Sequence, residues 1–241
     1  MRRSPTPLLL VLVLLLAVTP APAVAQAGVA GSPAAAAFLI RQGDDTVAIE
    51  RFTRHADRLE GDRLVRVPRT AVTHYVATLS ADGAVTRFES STRSAAELGQ
   101  PAARSATIAI GRDSSVVTVR SGDSTHTSRI VNRRLATPII GFSYALYEQV
   151  VRHAVATGRD SLPVDLIFSA SPEPIETWVR RIAADSVVLG FFGEPARVSI
   201  DRDGNIQELR GMQSTQQLVV TRIPSPDIDS LARAFAAHDP E

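Results

Sequence analysis

The sequence predicts a mainly β protein, in which a strongly curved antiparallel sheet forms a half-barrel or open barrel around one central helix, with a short helix at the C-terminus. Three observations support this fold class. Short apolar or alternating runs recur from residue 38 to 131 and from 162 to 223, glycine and aspartate separate the runs, and one long amphipathic segment lies between the two blocks. Strands and helices do not alternate along the chain, so we expect antiparallel pairing.

The first 25 residues have the pattern of a secretory signal peptide. Arg2 and Arg3 precede an apolar run from Leu8 to Val18, and the small residues 23–25 form a cleavage site. The run is shorter than the roughly 20 residues that span a bilayer. We therefore expect cleavage after Ala25, a flexible leader at 26–37, and a single domain at 38–241. The mature chain is predicted to be soluble, periplasmic or secreted, and without an integral membrane span.

Composition excludes several classes of partner and site. The chain contains no cysteine, so it has neither disulfides nor thiolate metal ligands. Removing Arg2 and Arg3 from the 26 basic residues leaves 24 against 25 acidic residues, which makes the mature chain almost neutral. Such a chain has no long-range field for nucleic acid, and we expect no nucleic-acid partner.

Fourteen strands are predicted from alternation and turn residues. The stretches "GDDT", "EGD", "ADGA", "GRDSS" and "SGDS" supply glycine and aspartate where the backbone reverses. Long antiparallel sheets curl or close because strands twist and free edges associate. The predicted strands are 38–43, 46–55, 58–67, 71–80, 84–92, 104–111, 115–121, 124–131, 162–170, 175–183, 186–192, 195–201, 205–211 and 215–223.

The segment "GFSYALYEQVVRHAVATG", residues 141–158, predicts the central helix at 142–157. Phe142, Leu146, Val150 and Ala154 form one helical stripe, and Gly158 ends it. A face this wide should pack against the sheet. After Pro226, "DIDSLARAFAAH" predicts a short terminal helix with Asp227 near its start.

The predicted inner face is rich in large apolar and aromatic side chains. Five residues are candidates for contact with a ligand, because they combine apolar surface with polar tips or lie near the helix: Trp178, Tyr144, Tyr147, Phe168 and Tyr75. Trp178 should share a strand face with Arg180. The predicted inner-face residues are Phe52, Tyr75, Leu79, Phe88, Ile108, Ile110, Leu166, Phe168, Trp178, Val188, Phe192, Val198 and Leu209.

Two blocks of meandering strands split by a helix, behind a signal peptide, resemble the periplasmic half-barrel proteins of the lipoprotein-carrier (LolA-like) type. The resemblance covers most of the mature chain and rests on architecture, without a shared motif. It implies a curved sheet with an apolar cavity for acyl chains.

The stretch "DRDGNIQELR", residues 201–210, resembles a calcium loop at first sight. Counting from Asp201, however, glycine is fourth rather than sixth and Met212 takes the place of the twelfth-position glutamate. "SADGAVTRFE", residues 80–89, repeats the arrangement of strand, Asp-Gly and strand. Both stretches are therefore predicted to be hairpin turns.

"GFSYA", residues 141–145, approximates the nucleophile elbow of serine hydrolases. Asp165, Asp185 or Asp203, followed by His238, would complete the chain order of a triad. The fifth position is alanine, however, and Pro138 makes "TPII" a poor central strand. Ser143 is better explained as a helix N-cap or first-turn residue whose hydroxyl satisfies exposed helix amides.

These patterns favour a non-enzymatic envelope protein that binds a hydrophobic or amphiphilic molecule, such as a lipid, between the curved sheet and the helix. A protein–protein interaction module with a packed core is one alternative, and a serine hydrolase using Ser143 is another. The five histidines show no metal-ligand spacing, so we predict neither a metal nor a cofactor. The sequence does not identify a protein partner.

Overall fold

Fifteen strands form a single sheet in a computed structural model that describes residues 34–66, 68–191, 194–211 and 217–239. The predicted signal peptide and residues 26–33 of the predicted leader lie outside the described residues. The strands are β1 Ala34–Gln42, β2 Asp45–Arg54, β3 Arg58–Val65, β4 Ala71–Leu79, β5 Val85–Ser94, β6 Arg104–Ile110, β7 Ser114–Ser121, β8 Ser124–Val131, β9 Leu135–Ile139, β10 Ser161–Phe168, β11 Ile175–Ala183, β12 Ser186–Phe191, β13 Glu194–Ile200, β14 Ile206–Gly211 and β15 Leu218–Ile223.

The two blocks of strands meet in the middle of the sheet, where β1 pairs antiparallel with β15. From this pair, β2 to β8 follow one another to one edge, and β14 back to β9 follow one another to the other edge. The predicted mainly β fold, with its curved antiparallel sheet and two helices, is therefore confirmed. β1 begins at Ala34, inside the stretch predicted to be a leader, because residues 34–37 pair with residues 51–54 of β2.

β9 is a strand that the sequence did not predict, and its pairing corrects the expectation of purely antiparallel pairing. It lies parallel to β10, with Pro138 opposite Ile167. Helix α1, Tyr144–Ala156, makes the crossover between these two parallel strands. Pro138 removes one amide donor, which an edge strand tolerates because, among the described strands, one of its sides has no ladder partner. Residues 137–139 of "TPII" therefore belong to an edge strand, whereas the sequence analysis considered this stretch only as a possible central strand.

The sheet curls around α1. Its edge strand β9 lies against β5 and β6, while α1 contacts β2, β9 and β11. Buried side chains from both ends of the sheet join those of the helix in one hydrophobic cluster. Its members include Phe38, Phe52, Phe88, Ile108, Ile130, Leu146, Val150, Leu166 and Val198.

A second helix, α2 Ile228–Ala236, packs on the opposite face of the sheet. Its buried residues Ile228 and Ala232 contact Ile49, Leu64 and Val72. The Asp227 carboxylate accepts hydrogen bonds from the backbone amides of Asp229 and Ser230, so the predicted cap is confirmed. Within the described ranges, neither helix has the length and apolar composition needed to cross a bilayer.

Most of the predicted inner-face residues are buried, but two point the other way. Trp178 and Val188 are half-buried, whereas their neighbours Val179 and Leu189 are buried in the main cluster. Side chains alternate along a strand, so Trp178 and Val188 lie on the outer face. Phe192 lies outside the described residues.

Candidate functional site

The two Asp-Gly stretches form hairpin turns of the same design, which confirms the turn prediction. Gly83 and Gly204 adopt positive φ angles of 82° and 80°. Their amides donate to the carbonyls of Ser80 at 2.9 Å and Asp201 at 3.0 Å, and each hairpin carries a register shift beside the turn. This combination of a tight turn with a left-handed residue and a bulge is common in hairpins, and glycine supplies the left-handed conformation without steric cost.

The Asp201 carboxylate is used inside its own turn. Oδ1 accepts from the amides of Asp203 at 3.0 Å and Asn205 at 2.9 Å, and Oδ2 accepts from the Asn205 side chain at 2.8 Å. These bonds are typical of an aspartate that stabilises a turn. In the described residues, no group of three or more histidine or acidic side chains is arranged to hold a metal ion.

Both turns are attached to the C-terminal half of α1. Gln149 and His153 hydrogen-bond the carbonyls of Gly83 and Asp82 at 2.7 and 2.8 Å. On the other side, Arg152 donates to the side chain of Asn205 at 2.6 Å. The helix is thus tied to one hairpin on each side.

The backbones of the two turns also approach the helix closely. A side chain added at Gly204 would place its Cβ 3.0 Å from the Arg152 Cα, and one at Gly83 would lie 3.1 Å from the Gln149 Nε2. Both turns therefore favour glycine for its backbone conformation, and at Gly204 the nearby helix backbone also leaves little room for a side chain.

A groove of about 390 Å³ lies between the two turns and this half of the helix. Its size falls within the roughly 300–1,000 Å³ of small-molecule sites. Apolar and charged side chains both line it. The lining residues are Ala81, Asp82, Gly83, Gln149, Arg152, His153, Val155, Ala156, Arg202 and Asp203.

At its other end, α1 begins on a buried carboxylate of β2. Glu50 is fully buried, and its Oε2 accepts from the amides of Tyr144 at 2.6 Å and Ala145 at 2.9 Å. Its Oε1 accepts from the hydroxyls of Ser143 at 2.5 Å and Tyr75 at 2.7 Å. The first amides of a helix lack intrahelical partners and attract negative charge, so Glu50 acts as a remote N-cap.

Ser143 does not cap the helix with its own hydroxyl, which corrects the predicted role. It occupies the N-cap position without a side-chain bond to a helix amide, because its hydroxyl donates to Glu50. The preceding residue, Phe142, has a φ of 59°, which is unusual for a non-glycine residue.

His238, the histidine of the possible serine-hydrolase triad, hydrogen-bonds the Ala234 carbonyl at 2.9 Å.

The middle of α1 is held by a second buried carboxylate. Glu148 accepts from Arg54 of β2 at 2.8 Å, from Arg222 of β15, and from the Ile206 amide at 2.8 Å. Its side chain is 1% exposed. The two guanidinium groups also lie over the Phe52 ring, at 5.8 and 5.6 Å. Helix α1 is therefore anchored at its start, middle and end.

The stability of the protein should depend on pH through Glu50. Burial raises the pKa of Glu50 above its ordinary value of 4.5, and outweighs the hydrogen bonds that favour the carboxylate. The folded state then holds the proton more tightly than the unfolded state. The resulting contribution to stability is fully present below about pH 4.5 and is lost as pH rises through the raised folded pKa. Arg63 lies opposite Glu50 on β3, and the charge of Glu50 favours the protonated form of its guanidinium group.

Urea unfolding of the wild type and Glu50→Gln across this pH range measures the effect. We expect the free energy of unfolding of the wild type to fall relative to that of Glu50→Gln as pH rises from 4.5 towards neutrality. A difference between the two proteins that stays constant with pH would contradict the raised pKa.

Gly61 of β3 makes room for the tyrosine that contacts Glu50. A Cβ at this position would lie 2.6 Å from both the Tyr75 hydroxyl and the Arg51 carbonyl. We expect Gly61→Ala to lower the free energy of unfolding by about 1–3 kcal/mol, because a packed strand and a buried ring cannot both move away. Gly99→Ala, with nothing within 4 Å of the added Cβ, is the control. Equal stability of the two variants would show that Tyr75 does not need this space.

Four of the five candidate ligand residues lie in or against the main hydrophobic cluster, and the fifth, Trp178, lies apart from it. Tyr75 and Tyr144 are fully buried and meet at Glu50, and the Tyr147 ring is 5.9 Å from that of Tyr144. Phe168 is half-buried against the main cluster. Trp178 lies on the outer face of β11, where the Arg180 guanidinium is 4.9 Å from its ring, as the shared face predicted.

The residues that line the groove were not predicted as a site. Asp82, Gly83 and Asp203 were interpreted as turn residues, and His153 as a scattered histidine. The repeated Asp-Gly pattern was the available signal, because two equal hairpins can lie on either side of one helix.

Comparison with known proteins supports the fold alone. No family model and no curated protein matches the chain. Among solved structures, the chain is similar to a beta-barrel-like protein of the domain of unknown function DUF1849 from Brucella abortus. The TM-score is 0.50 at 11% identity, over 81% of this chain and 98% of that one. It is also similar to a DUF1089 family protein from Pseudomonas aeruginosa, with a TM-score of 0.47 at 13% identity, over 68% and 89%. The likeness to the DUF1849 protein agrees with the β-barrel-like architecture of this chain.

Proposed function

We propose that this chain is an exported, non-enzymatic protein that binds a small amphiphilic molecule beside helix α1. The observation that carries the proposal is the groove between the two Asp-Gly turns. Its lining combines Ala81, Val155 and Ala156 with charged side chains, and its walls are preformed by the bonds that tie both turns to the helix. The likeness to lipoprotein carriers and the predicted signal peptide support the same proposal.

The polar chemistry at the start of α1 is consistent with a binding protein. The Ser143 hydroxyl is fully buried and donates to a carboxylate. A serine nucleophile requires a base that takes its proton and access to a substrate. We therefore assign Glu50 and Ser143 to positioning the helix and place the ligand at the groove.

Native mass spectrometry of protein purified from its own host, without detergent, tests the proposal. We expect a bound small molecule that is extractable into organic solvent. Ala156→Trp, which fills the groove, should abolish the bound mass. Ala234→Trp, at an exposed position of α2, is the matched control and should retain it. Equal ligand loading of the two variants, or an empty wild type, would contradict the proposal.

The exposed edge strand β8 favours a second candidate, an interaction module. Its described ladder partner is β7, and Val131 is 64% exposed. An exposed edge can accept a strand from another protein. A pull-down that returns one stoichiometric protein with the wild type, and none with Val131→Lys, would favour this candidate. A protein partner that is retained by Val131→Lys would count against it.

A further inference from the structure

Charged side chains of both signs line the groove, and this determines which polar head fits it. Two cations, Arg152 and Arg202, and two anions, Asp82 and Asp203, line the same space. Arg202 and Asp203 form an exposed ion pair of 3.7 Å with each other, so a ligand competes with this pair but finds Arg152 and Asp82 outside it. His153 adds an imidazole whose Nδ1 is committed to the Asp82 carbonyl. The formal charges of the lining therefore sum to zero, but positive and negative groups are both present in it.

An anionic and a cationic side chain of the lining each keep atoms that a ligand can contact. The Asp82 Oδ1 accepts from the Ser80 hydroxyl and from the Ala84 amide at 3.4 Å, whereas Oδ2 accepts no hydrogen bond from a described residue. Arg152 uses Nη1 for Asn205, and its other nitrogens donate to no described residue. A ligand can thus meet a guanidinium and a carboxylate within one groove.

From this arrangement we infer that the groove selects an amphiphile whose head is zwitterionic, with an anionic group for the arginines and a cationic group for the aspartates. The inference rests on the proposed function. A purely anionic head would lie beside Asp82 and Asp203, and a purely cationic one beside Arg152 and Arg202, so each would meet like charge. An uncharged head would cover Arg152 and Asp82 without offering either of them a charged partner.

Binding of soluble, short-chain probes tests this inference. The probes are dihexanoyl phosphatidylcholine, dihexanoyl phosphatidylglycerol and octyl glucoside, each below its micelle concentration, measured by isothermal titration calorimetry. We expect the phosphatidylcholine to bind at least tenfold more tightly than either of the others. Tighter or equal binding of phosphatidylglycerol or octyl glucoside would overturn the inference while leaving the proposed function intact.

A pair of double variants shows whether the groove causes the preference. Asp82→Asn with Asp203→Asn should lower the preference for phosphatidylcholine over phosphatidylglycerol at least tenfold. Asp44→Asn with Asp123→Asn changes the net charge equally on two other hairpin turns and should leave the preference unchanged. Equal effects of the two pairs would overturn the inference.

Two further outcomes separate the inference from the proposed function. Free phosphocholine that binds as tightly as the lipid would support a zwitterion site but contradict the proposal of an amphiphile. Failure of all three amphiphiles and of phosphocholine to bind would overturn both.

Discussion

Replacing Glu50 with alanine is expected to lower the free energy of unfolding by at least about 3 kcal/mol, because it removes the shared acceptor of four buried donors. The substitution leaves the Tyr144 and Ala145 amides and the Tyr75 and Ser143 hydroxyls without their acceptor. Unsatisfied buried donors each cost roughly 1–3 kcal/mol. Urea unfolding followed by circular dichroism measures the loss.

Two substitutions show which property of Glu50 matters. Glu50→Gln keeps an acceptor for the helix amides, and its amide nitrogen can donate to hydroxyls that rotate to accept, so it should be milder than Glu50→Ala. Ser143→Ala removes one of the four donors and should cost about 1 kcal/mol. If Glu50→Ala destabilised the protein no more than Ser143→Ala, the helix would not depend on this carboxylate.

Glu148→Ala is expected to have a comparably large effect, about 3–5 kcal/mol at neutral pH. The substitution leaves Arg54 and Arg222, whose side chains are 11% and 22% exposed, without their shared carboxylate. It also removes the acceptor for the Ile206 amide beside the 201–205 turn. Thermal and urea unfolding should both report the loss, and the groove should lose its fixed wall.

The exposed pair Arg87 and Glu89 provides the control for Glu148. Both side chains are 52% exposed, so Glu89→Ala should change the free energy of unfolding by less than about 1 kcal/mol. A second comparison replaces the buried triad by Arg54→Met, Glu148→Leu and Arg222→Met together. This triple variant should be more stable than Glu148→Ala, because apolar residues of similar volume leave no buried charge unpaired. A triple variant less stable than Glu148→Ala would contradict this explanation.

The alternation of apolar residues and the turn residues predicted much of the fold. Alternation and Asp-Gly turns located fourteen strands, and the apolar stripe from Phe142 to Ala154 located α1. The strand that was missed, β9, has five residues and contains Pro138. Such a short run carries little periodic signal, and its parallel partner is reached only through the helix.

The hydrophobic periodicity of the sequence did not predict the buried contacts that hold α1 in place. Glu50 shares a strand face with Ala48 and Phe52, so a buried carboxylate at that position was a visible anomaly. Its partner Ser143, however, is 93 residues away. Periodicity along a strand shows which face a side chain occupies, but not which distant element covers that face. The groove depends in the same way on two hairpins whose turns are far apart in sequence.

Backbone and side-chain NMR shifts during titration with dihexanoyl phosphatidylcholine show directly whether the groove is the binding site. We expect perturbations at residues 81–83, 149–156 and 202–204, the turns and the helix segment around the groove. We expect no comparable change at the indole of Trp178 or at the buried hydroxyl of Tyr75. Perturbations centred on Trp178 or on Glu50 and its hydrogen-bond partners, with the two turns unaffected, would contradict binding at the groove.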